Sequence, residues 1–344
     1  MMDKRKKAKE EKRMTARSKK MWASAAFLPV LAVLVLLGAA FSLPEKADAA
    51  AKYELLYVAE NVYENEPIEK REAAGGWYWK RYVCADLSTS TLYYSKTEEG
   101  TGRKLVRLKL GEEYGSNYMN SEILTNGTKV YYATEYWDPW TKHKARIYSV
   151  GTNGKNKKLV KTLTMQPGET VNLVHVYNDR LYFEKHKDEG KCKLYCLTLG
   201  KTQKLTKVSA NFDFCIGTGI EPGARYLYGR SWNDRSIKVF DCRTNKIIRT
   251  IAGSISGLKA EQGKIYYTVY DEAFRTKVYQ ASLSGAGRTL LLTLPSDASV
   301  DSFDSTAVYY QQMIETETGA EQFHVYDFAA KTHRSISMEE YKFE

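Results

Sequence analysis

Three polar segments of the chain combine aromatic side chains with carboxylate, amide or guanidinium groups. The residues concerned are Tyr136, Trp137, Asp138 and Trp140, then Trp232, Asn233, Asp234 and Arg235, and finally Tyr270, Asp271 and Phe274. Aromatic rings stack on sugars or anchor protein partners, while adjacent polar groups hydrogen-bond the same ligand. We therefore predict a binding or scaffold module that recognises a protein, a peptide or a cell-envelope glycan through these segments, with a structural subunit of an envelope assembly as a further possibility. In the alternative interpretation, the rings cover hydrophobic edges of their own sheets.

The same segments also carry carboxylates that could do acid–base chemistry. Asp138, Asp234 and Asp271 would act at the mouth of a channel in a glycosidase or a polysaccharide lyase. This is the second hypothesis, and it predicts that mutating these acids abolishes turnover of a polysaccharide.

Other constellations that could do chemistry are incomplete. Gly253 to Gly257 resembles a nucleophile elbow but has Ile255 where the nucleophile belongs. Gly217-Thr218-Gly219 is not followed by a helical pattern, so a phosphate cradle is not predicted. Glu184 and His186 share a strand face without a third metal ligand. We expect no catalytic residues, no metal site, no cofactor and no enzymatic activity.

A repeated motif must position the three segments. An aliphatic residue followed by Tyr occurs six times, with a second aromatic next in every copy but the fourth, which has Gly229. The copies are Leu92-Tyr93, Val130-Tyr131, Leu181-Tyr182, Leu227-Tyr228, Ile265-Tyr266 and Val308-Tyr309. By subtraction, the Tyr residues lie 38, 51, 46, 38 and 43 positions apart. Units of this length are typical of propellers and other repeat architectures.

A second aliphatic signature follows each motif and defines a further strand. Its copies are Leu105-Val106, Ile147-Tyr148, Leu194-Tyr195, Val239-Phe240, Val278-Tyr279 and Val325-Tyr326. Helical periodicity is missing and the Tyr content favours strands. We predict an all-β protein, a β-propeller of four-stranded blades over residues 81–344, with six blades favoured and seven possible. Residues 50–80 would close the ring or form a degenerate seventh blade, and only the first unit, around 111–120, gives no clear fourth strand.

The strand sequences resemble those of a known class of propeller. Strands such as Ile265-Tyr266-Tyr267 and Val278-Tyr279-Gln280-Ala281, followed by a Gly turn, resemble exported bacterial six-bladed propellers of the TolB-like and YWTD-like class. The resemblance is strongest to the family called domain of unknown function 5050, and it covers roughly residues 80–344. It implies an exported interaction module with no catalytic residues to carry over. In such blades the loop between the second and third strands lies at the mouth of the channel, where the three segments fall.

Most of the positive charge lies at the N-terminus. The formal net charge is +11, and residues 1–21 contribute +7 of it through ten basic and three acidic residues. The remaining +4 is spread over a nearly balanced body, so we expect no nucleic acid partner.

An apolar segment follows the basic residues. Trp22 to Phe41 carries no charge, and small residues at Ala47-Asp48-Ala49 suggest cleavage before Ala50. Residues 1–49 are therefore predicted to be a signal peptide, or, if uncleaved, a helical anchor that contacts the membrane through residues 22–43. Both alternatives place the body outside the cytoplasmic membrane, either secreted or anchored.

Five cysteines follow the leader, and their odd number leaves at least one without an intramolecular disulfide. They are Cys84, Cys192, Cys196, Cys215 and Cys242. Cys192 and Cys196 would lie about 13 Å apart in one strand, too far to bond each other. We expect small buried thiols and leave the pairing open.

Overall fold

The computed structural model describes residues 52–58, 69–83, 89–109, 117–136, 140–187, 192–208, 212–213, 223–231, 235–313 and 321–341. These residues form twenty-five strands and no helix. The predicted all-β fold is confirmed. No helix in these ranges has the length and apolar character needed to cross a bilayer. The predicted leader, residues 1–49, lies outside the described residues.

The strands form six antiparallel sheets, and within each sheet successive strands are neighbours. Sheet one contains β2 (Arg71–Ala73), β3 (Gly76–Val83), β4 (Thr89–Ser95) and β5 (Arg103–Lys109). Sheet two contains β1 (Glu54–Tyr57), β6 (Asn117–Thr125), β7 (Lys129–Tyr136), β8 (His143–Gly151) and β9 (Lys158–Met165). Sheet three contains β10 (Glu169–Tyr177), β11 (Arg180–Lys187), β12 (Lys193–Thr198) and β13 (Leu205–Lys207).

The last three sheets repeat this pattern with four strands each. Sheet four contains β14 (Phe212–Asp213), β15 (Tyr226–Ser231), β16 (Ile237–Asp241) and β17 (Lys246–Ile251). Sheet five contains β18 (Ser254–Glu261), β19 (Lys264–Tyr270), β20 (Thr276–Ser282) and β21 (Thr289–Thr293). Sheet six contains β22 (Ala298–Phe303), β23 (Ala307–Met313), β24 (Glu321–Asp327) and β25 (Thr332–Ile336).

The hydrophobic core lies between successive sheets, as in a propeller. One cluster, for example, joins Ile147 and Leu163 of sheet two to Leu173 and Phe183 of sheet three. Equivalent clusters join sheets one and two, three and four, four and five, and five and six. Among the described residues, no such cluster joins sheet six to sheet one. The fourth strands of sheets three, four and six, β13, β17 and β25, are almost entirely exposed and form the outer edges of these sheets.

The second aromatic of the repeated motif packs within its own sheet. In four sheets it stacks on the residue directly paired with it in the third strand, and in sheet one Trp79 of the second strand stacks on Tyr93 in the same way, with ring centroids 5.1 to 5.6 Å apart. The pairs are Trp79 and Tyr93, Tyr132 and Tyr148, Phe183 and Tyr195, Tyr267 and Tyr279, and Tyr310 and His324. In the fourth sheet Gly229 pairs with Lys238, so no ring stack forms at this position. These aromatics therefore belong to the scaffold.

The first copy of the motif is one strand out of phase with the others. Leu92-Tyr93 lies on β4, the third strand of its sheet, whereas the other copies lie on second strands. The second strand of sheet one is β3, which carries Trp77-Tyr78-Trp79. The ring stack uses one aromatic from the second strand and one from the third. An aliphatic–Tyr pair such as Leu92-Tyr93 can therefore lie on a third strand as well as on a second. The signature at Leu105-Val106 accordingly lies on β5, which is the fourth strand that the sequence interpretation missed.

The strands described within residues 50–80 pair with sheets one and two, not with the last sheet as a closing strand would. β1 pairs with β6 and becomes a fifth strand of sheet two, while β2 and β3 open sheet one. The side chains that flank β1 explain this position, because Tyr53 packs in the core between sheets two and three and Val58 in the core between sheets one and two. Glu54 Oε2 also accepts a hydrogen bond from the backbone N–H of Ala74 at 2.9 Å.

The segment after the last strand covers the outward face of sheet six. Val308 and Tyr310 face sheet five, so Tyr309 faces the opposite way by strand alternation. The ring of Tyr341 packs against Phe323 and Tyr309, with centroids 4.6 and 6.3 Å away. Tyr341 is buried, and its hydroxyl donates to Asp301 Oδ2 at 2.5 Å. This contact shields apolar surface that no following sheet covers among the described residues.

Replacing Tyr341 with alanine is expected to lower the free energy of unfolding by about 2 kcal/mol, because a buried ring and its hydrogen bond are lost. Urea titration followed by circular dichroism measures the change. Met338→Ala is the matched control, since Met338 is 65% exposed in the same segment. Equal stability of the two variants would contradict the covering role of Tyr341.

Candidate functional site

The three predicted segments connect second strands to third strands. They link β7 to β8, β15 to β16, and β19 to β20. Each sheet is antiparallel with its strands in chain order. These loops therefore lie at the same ends of the strands as the links between sheets. Trp137, Asp138, Trp232, Asn233 and Asp234 lie outside the described residues, so their part in the predicted site stays a prediction.

The described aromatic side chains of these loops point into solvent. Trp140 is 82% exposed and Phe274 is 80% exposed, the highest values among the described large hydrophobic side chains. Tyr136 and Tyr270 are also exposed, at the ends of β7 and β19. Exposed apolar groups that form a contiguous patch mark an interaction surface, which makes these rings candidates for one.

The loop after β19 is held in a fixed turn by Asp271. Its Oδ1 accepts hydrogen bonds from the backbone N–H groups of Ala273 and Arg275, at 2.9 and 3.0 Å. Its Oδ2 accepts from Arg275 Nε at 3.0 Å and lies 3.2 Å from Lys277 Nζ. Phe274 adopts a positive φ of 58° at the tip. The turn therefore fixes the base from which the Phe274 ring projects.

The same contacts determine the charge of Asp271. The backbone N–H of Arg275 hydrogen-bonds the Asp271 carboxylate, and so do the side chains of Arg275 and Lys277. These contacts hold the pKa of Asp271 far below the usual range of a carboxyl group. The group is an ionised, fully engaged acceptor at any physiological pH. This environment suits a structural turn residue and does not suit a general acid.

Arg235 anchors the loop of sheet four to the next sheet. Its backbone carbonyl accepts a hydrogen bond from the N–H of Ile255 at 3.3 Å, and its φ is 50°. The residue itself is exposed. The loop is thereby connected to β18, the first strand of sheet five.

A buried polar cluster lies beneath the loop that carries Trp140. Glu135 is the residue before the last one of β7 and His143 begins β8, and they are 1% and 5% exposed. Glu135 Oε1 accepts hydrogen bonds from Asn120 Nδ2 at 2.8 Å and from the backbone N–H of Val171 at 2.9 Å. Burial raises the pKa of Glu135, although these hydrogen bonds, His143 and Tyr118 act against the shift. Glu135 thus joins the start of the loop to β6 and to sheet three.

A bulge in β6 presents Asn120 to this cluster. Met119 pairs with Thr134 and Ile123 with Tyr132, so residues 120–122 oppose a single residue of β7. Lys80, which is 1% exposed on β3, donates from Nζ to the carbonyls of Met119 and Asn120 at 3.1 and 2.5 Å. Bulges of this kind often re-aim side chains near functional sites.

Other candidate ligands do not form a larger group. Within the described residues, no set of three or more His, Cys, Asp and Glu side chains could hold a metal ion. Glu184 is buried and His186 partly buried on β11. Cys192, Cys196 and Cys242 are buried, and burial raises the pKa of the Cys196 and Cys242 thiols. Cys84 and Cys215 lie outside the described residues.

An open groove that the sequence did not indicate lies at the opposite ends of the strands. It lies between sheets five and six, has a volume of about 470 Å³, and is lined by Lys264, Gln280, Asp327 and the stacked rings of Tyr266 and Phe328. The turns that form it join first to second and third to fourth strands. The groove therefore lies at the strand ends opposite to those that carry Trp140 and Phe274.

The chain has distant similarity to several solved structures. An uncharacterized protein, lmo1340, from Listeria monocytogenes matches 82% of this chain and 86% of its own, at 10% identity and a TM-score of 0.47. The WD40 domain of SCAP from fission yeast matches 83% and 90%, at 10% identity and 0.45. The β-propeller domain of the Trilobed protease from Pyrococcus furiosus matches 62% and 69%, at 13% identity and 0.41. The chain is a β-propeller.

No family model and no curated protein matches the chain. The solved structures are too distant in sequence to transfer an activity, a ligand or a partner. The propeller fold rests on the six antiparallel sheets and on the hydrophobic cores between successive sheets. Which propeller family the chain resembles remains a matter for proposal.

Proposed function

We propose that this chain is a non-enzymatic binding module. It would be an exported propeller, as its resemblance to the family called domain of unknown function 5050 implies. It recognises a protein, a peptide or a cell-envelope glycan through the loops that follow the second strands. The observation that carries the proposal is the exposure of Trp140 and Phe274, at 82% and 80%.

The gain from covering these two rings is large enough to anchor a ligand. Burying an aromatic side chain on binding stabilises a complex by about 2 to 3 kcal/mol, which is the range of a hot-spot residue. The turn fixed by Asp271 supports Phe274 before binding, so less conformational freedom is lost on association. Neighbouring polar groups such as Arg275 and Lys277 orient a bound ligand relative to the ring of Phe274.

The alternative is a glycosidase or polysaccharide lyase. It draws no support from Asp271, the one candidate acid that lies within the described residues. Asp271 is fully engaged by Arg275 and Lys277 and has a lowered pKa. An enzyme of this class needs a carboxyl group that is free to donate or accept a proton. We therefore place the binding module first.

The proposed location outside the cytoplasmic membrane rests on the leader. The basic residues 1–21 and the apolar segment from Trp22 support export, with either cleavage before Ala50 or retention as an anchor. N-terminal sequencing of the native protein decides between them, since Ala50 at the start indicates a secreted form. Recovery of full-length protein in the cytosolic fraction would contradict export.

The double variant Trp140→Ala/Phe274→Ala is expected to bind its ligand at least about 30-fold more weakly, because each ring contributes at the level of a hot spot. Wild-type and variant chains are immobilised and compared on cell-envelope fractions and on an array of envelope glycans. Any retained ligand is then titrated by surface plasmon resonance. The melting temperature should not change, because both rings are solvent-exposed.

The matched control replaces exposed aliphatic side chains at the outer edges of two sheets, Ile248→Ala/Leu290→Ala, which are 43% and 49% exposed. This control should keep wild-type affinity. If the double aromatic variant also keeps wild-type affinity, the loop face is not the binding surface.

A further inference from the structure

The basic residues of the propeller are concentrated on the outer strands of its first three sheets. Residues 103–109, 142–165 and 193–207 contain four, seven and four basic residues, and none of these segments contains an acidic residue. They include β5, then β8 and β9, then β12 and β13, which are third or fourth strands of their sheets. The near balance of charge over the whole body therefore hides a separated distribution, with a positive surface on the outer side of these sheets.

Three successive fourth strands share a second feature, exposed aliphatic residues directly beside the basic ones. β9 begins with Lys158-Leu159, Lys204-Leu205 leads into β13, and β17 begins with Lys246-Ile247-Ile248. The aliphatic side chains are 37 to 47% exposed. Each of these strands is the last of its sheet, so one of its two edges has no partner strand among the described residues. We call the surface formed by β9, β13 and β17 the basic rim.

The lysines of the basic rim are not neutralised by neighbouring acids. Lys158, Lys204, Lys207 and Lys246 are exposed, and none of them forms an ion pair with a carboxylate in the part of the chain that the structure describes. Exposed cations without counter-charges attract anions and raise their local concentration. Because a lysine ammonium is a point charge on a flexible stem, it can follow a phosphate or carboxylate whose position varies.

We propose that the basic rim binds a flexible linear polymer that carries repeating phosphate groups. Successive sheets of a propeller radiate from one axis, so β9, β13 and β17 lie at successive positions on a convex wall. A flexible chain can follow this wall across all three strands, whereas a flat membrane touches a convex wall at one place. The phosphates contact the lysine ammonium groups, and Leu159, Leu205 and Ile247 cover uncharged parts of the repeating unit.

The basic rim has no aromatic ring with which to recognise a nucleic acid base. None of the residues of β9, β13 and β17 is aromatic. Proteins that bind single-stranded nucleic acids commonly stack the bases on aromatic side chains. We therefore expect the polymer to be held through its phosphates alone. Such binding is driven by the release of counterions, so it weakens steeply as the salt concentration rises.

The test titrates the full chain with fluorescently labelled linear polyphosphate and follows the anisotropy at low and at high salt. The triple variant Lys158→Gln/Lys204→Gln/Lys207→Gln should bind roughly 30-fold more weakly at low salt, because three phosphate contacts are lost. The slope of log affinity against log salt concentration should become less steep by about 2 for the same reason. The melting temperature should not change, since all three side chains are exposed.

The matched control removes the same charge from three exposed lysines outside the basic rim, Lys96→Gln/Lys129→Gln/Lys331→Gln. The control should keep wild-type affinity for polyphosphate. All the chains keep the basic residues 1–21, so any contribution of the leader is the same in each. The double aromatic variant of the loop face should also keep wild-type affinity, which separates this inference from the proposed function.

A second measurement locates the polymer on the wild-type chain. Lysines are acetylated with and without polyphosphate and read by peptide mass spectrometry, and Lys158, Lys204 and Lys207 should be protected while Lys331 is not. The proposal is overturned if protection is confined to residues 1–21 or if the rim variant binds as tightly as the control. Protection of the rim by phosphatidylglycerol vesicles but not by polyphosphate would instead show a membrane surface. Tighter binding of a single-stranded oligonucleotide of equal charge would show base recognition and would also overturn the proposal.

Discussion

The free energy of unfolding is expected to fall by about 4 kcal/mol when Tyr182 is replaced by alanine. Tyr182 is fully buried between sheets three and four, where its ring packs edge-on against Phe240 with centroids 5.9 Å apart. Its hydroxyl donates to the Cys242 carbonyl or to Asn245 Oδ1, which lie 2.9 and 2.7 Å away. The substitution removes a large ring and also the polar contact that joins the two sheets.

Tyr182→Phe separates the two contributions. It keeps the ring and removes the hydroxyl, so the expected loss is about 1 to 2 kcal/mol. The carbonyl of Cys242 still accepts a hydrogen bond from Arg180 Nη1 at 2.8 Å, which limits the penalty. Urea titrations give the free energies, with Tyr57→Ala as the control because Tyr57 is 58% exposed. A loss at Tyr182 no larger than at Tyr57 would show that the interface between the sheets does not depend on this ring.

Acid is expected to destabilise the protein through His175. This side chain is fully buried on β10, and burial lowers its pKa to about 4 despite a hydrogen bond between Nε2 and the Ala224 carbonyl at 2.8 Å. Above the unfolded value of about 6.5, both states are neutral at this position and stability is unaffected. As the pH falls below 6.5, the unfolded chain takes up a proton that the folded chain refuses. Stability therefore decreases down to about pH 4, by about 3 kcal/mol in total.

The measurement is the free energy of unfolding as a function of pH from 7 to 4, together with the histidine ring signals by NMR. His175→Gln should flatten the pH dependence over this window even if the variant is less stable at pH 7. His186→Gln is the control and should keep the slope. A His175 signal that titrates near 6.5 would refute the argument.

The architecture could be predicted because two strand signatures recur in phase. Five of the six sheets stack an aromatic of the second strand on the third, as Tyr267 does on Tyr279, and this pairing is local enough to be visible in the sequence. The phase failed only in the first unit, where Trp77-Tyr78 replaces the aliphatic–Tyr pair and Leu92-Tyr93 imitates it. The position of β1 could not be predicted, because its partner lies some seventy residues further on.

The loops of the candidate site could be predicted for a similar reason. Loop positions follow from strand order, so Trp140 and Phe274 lie between second and third strands as expected, whereas Tyr136 and Tyr270 are the last residues of β7 and β19. The cluster of Glu135 and His143 was missed because it depends on the register of β7 with β8, on the bulge in β6 and on a backbone group of sheet three. Loop sequence alone does not distinguish a buried glutamate from a solvated one.

The pairing of β1 with β6 also has a consequence for the order in which the chain can fold. β1 is synthesised first, yet it has no partner strand until Thr125, the partner of Glu54, has been made. Sheet one, residues 71–109, needs no strand from outside that range and can pair while β1 is still unpaired. During this interval the segment Leu55-Leu56-Tyr57-Val58 is an apolar strand without a neighbour, which is the kind of segment that aggregates or recruits a chaperone. If the chain is exported as proposed, the start of the propeller is thus the part that needs the longest protection during synthesis and translocation.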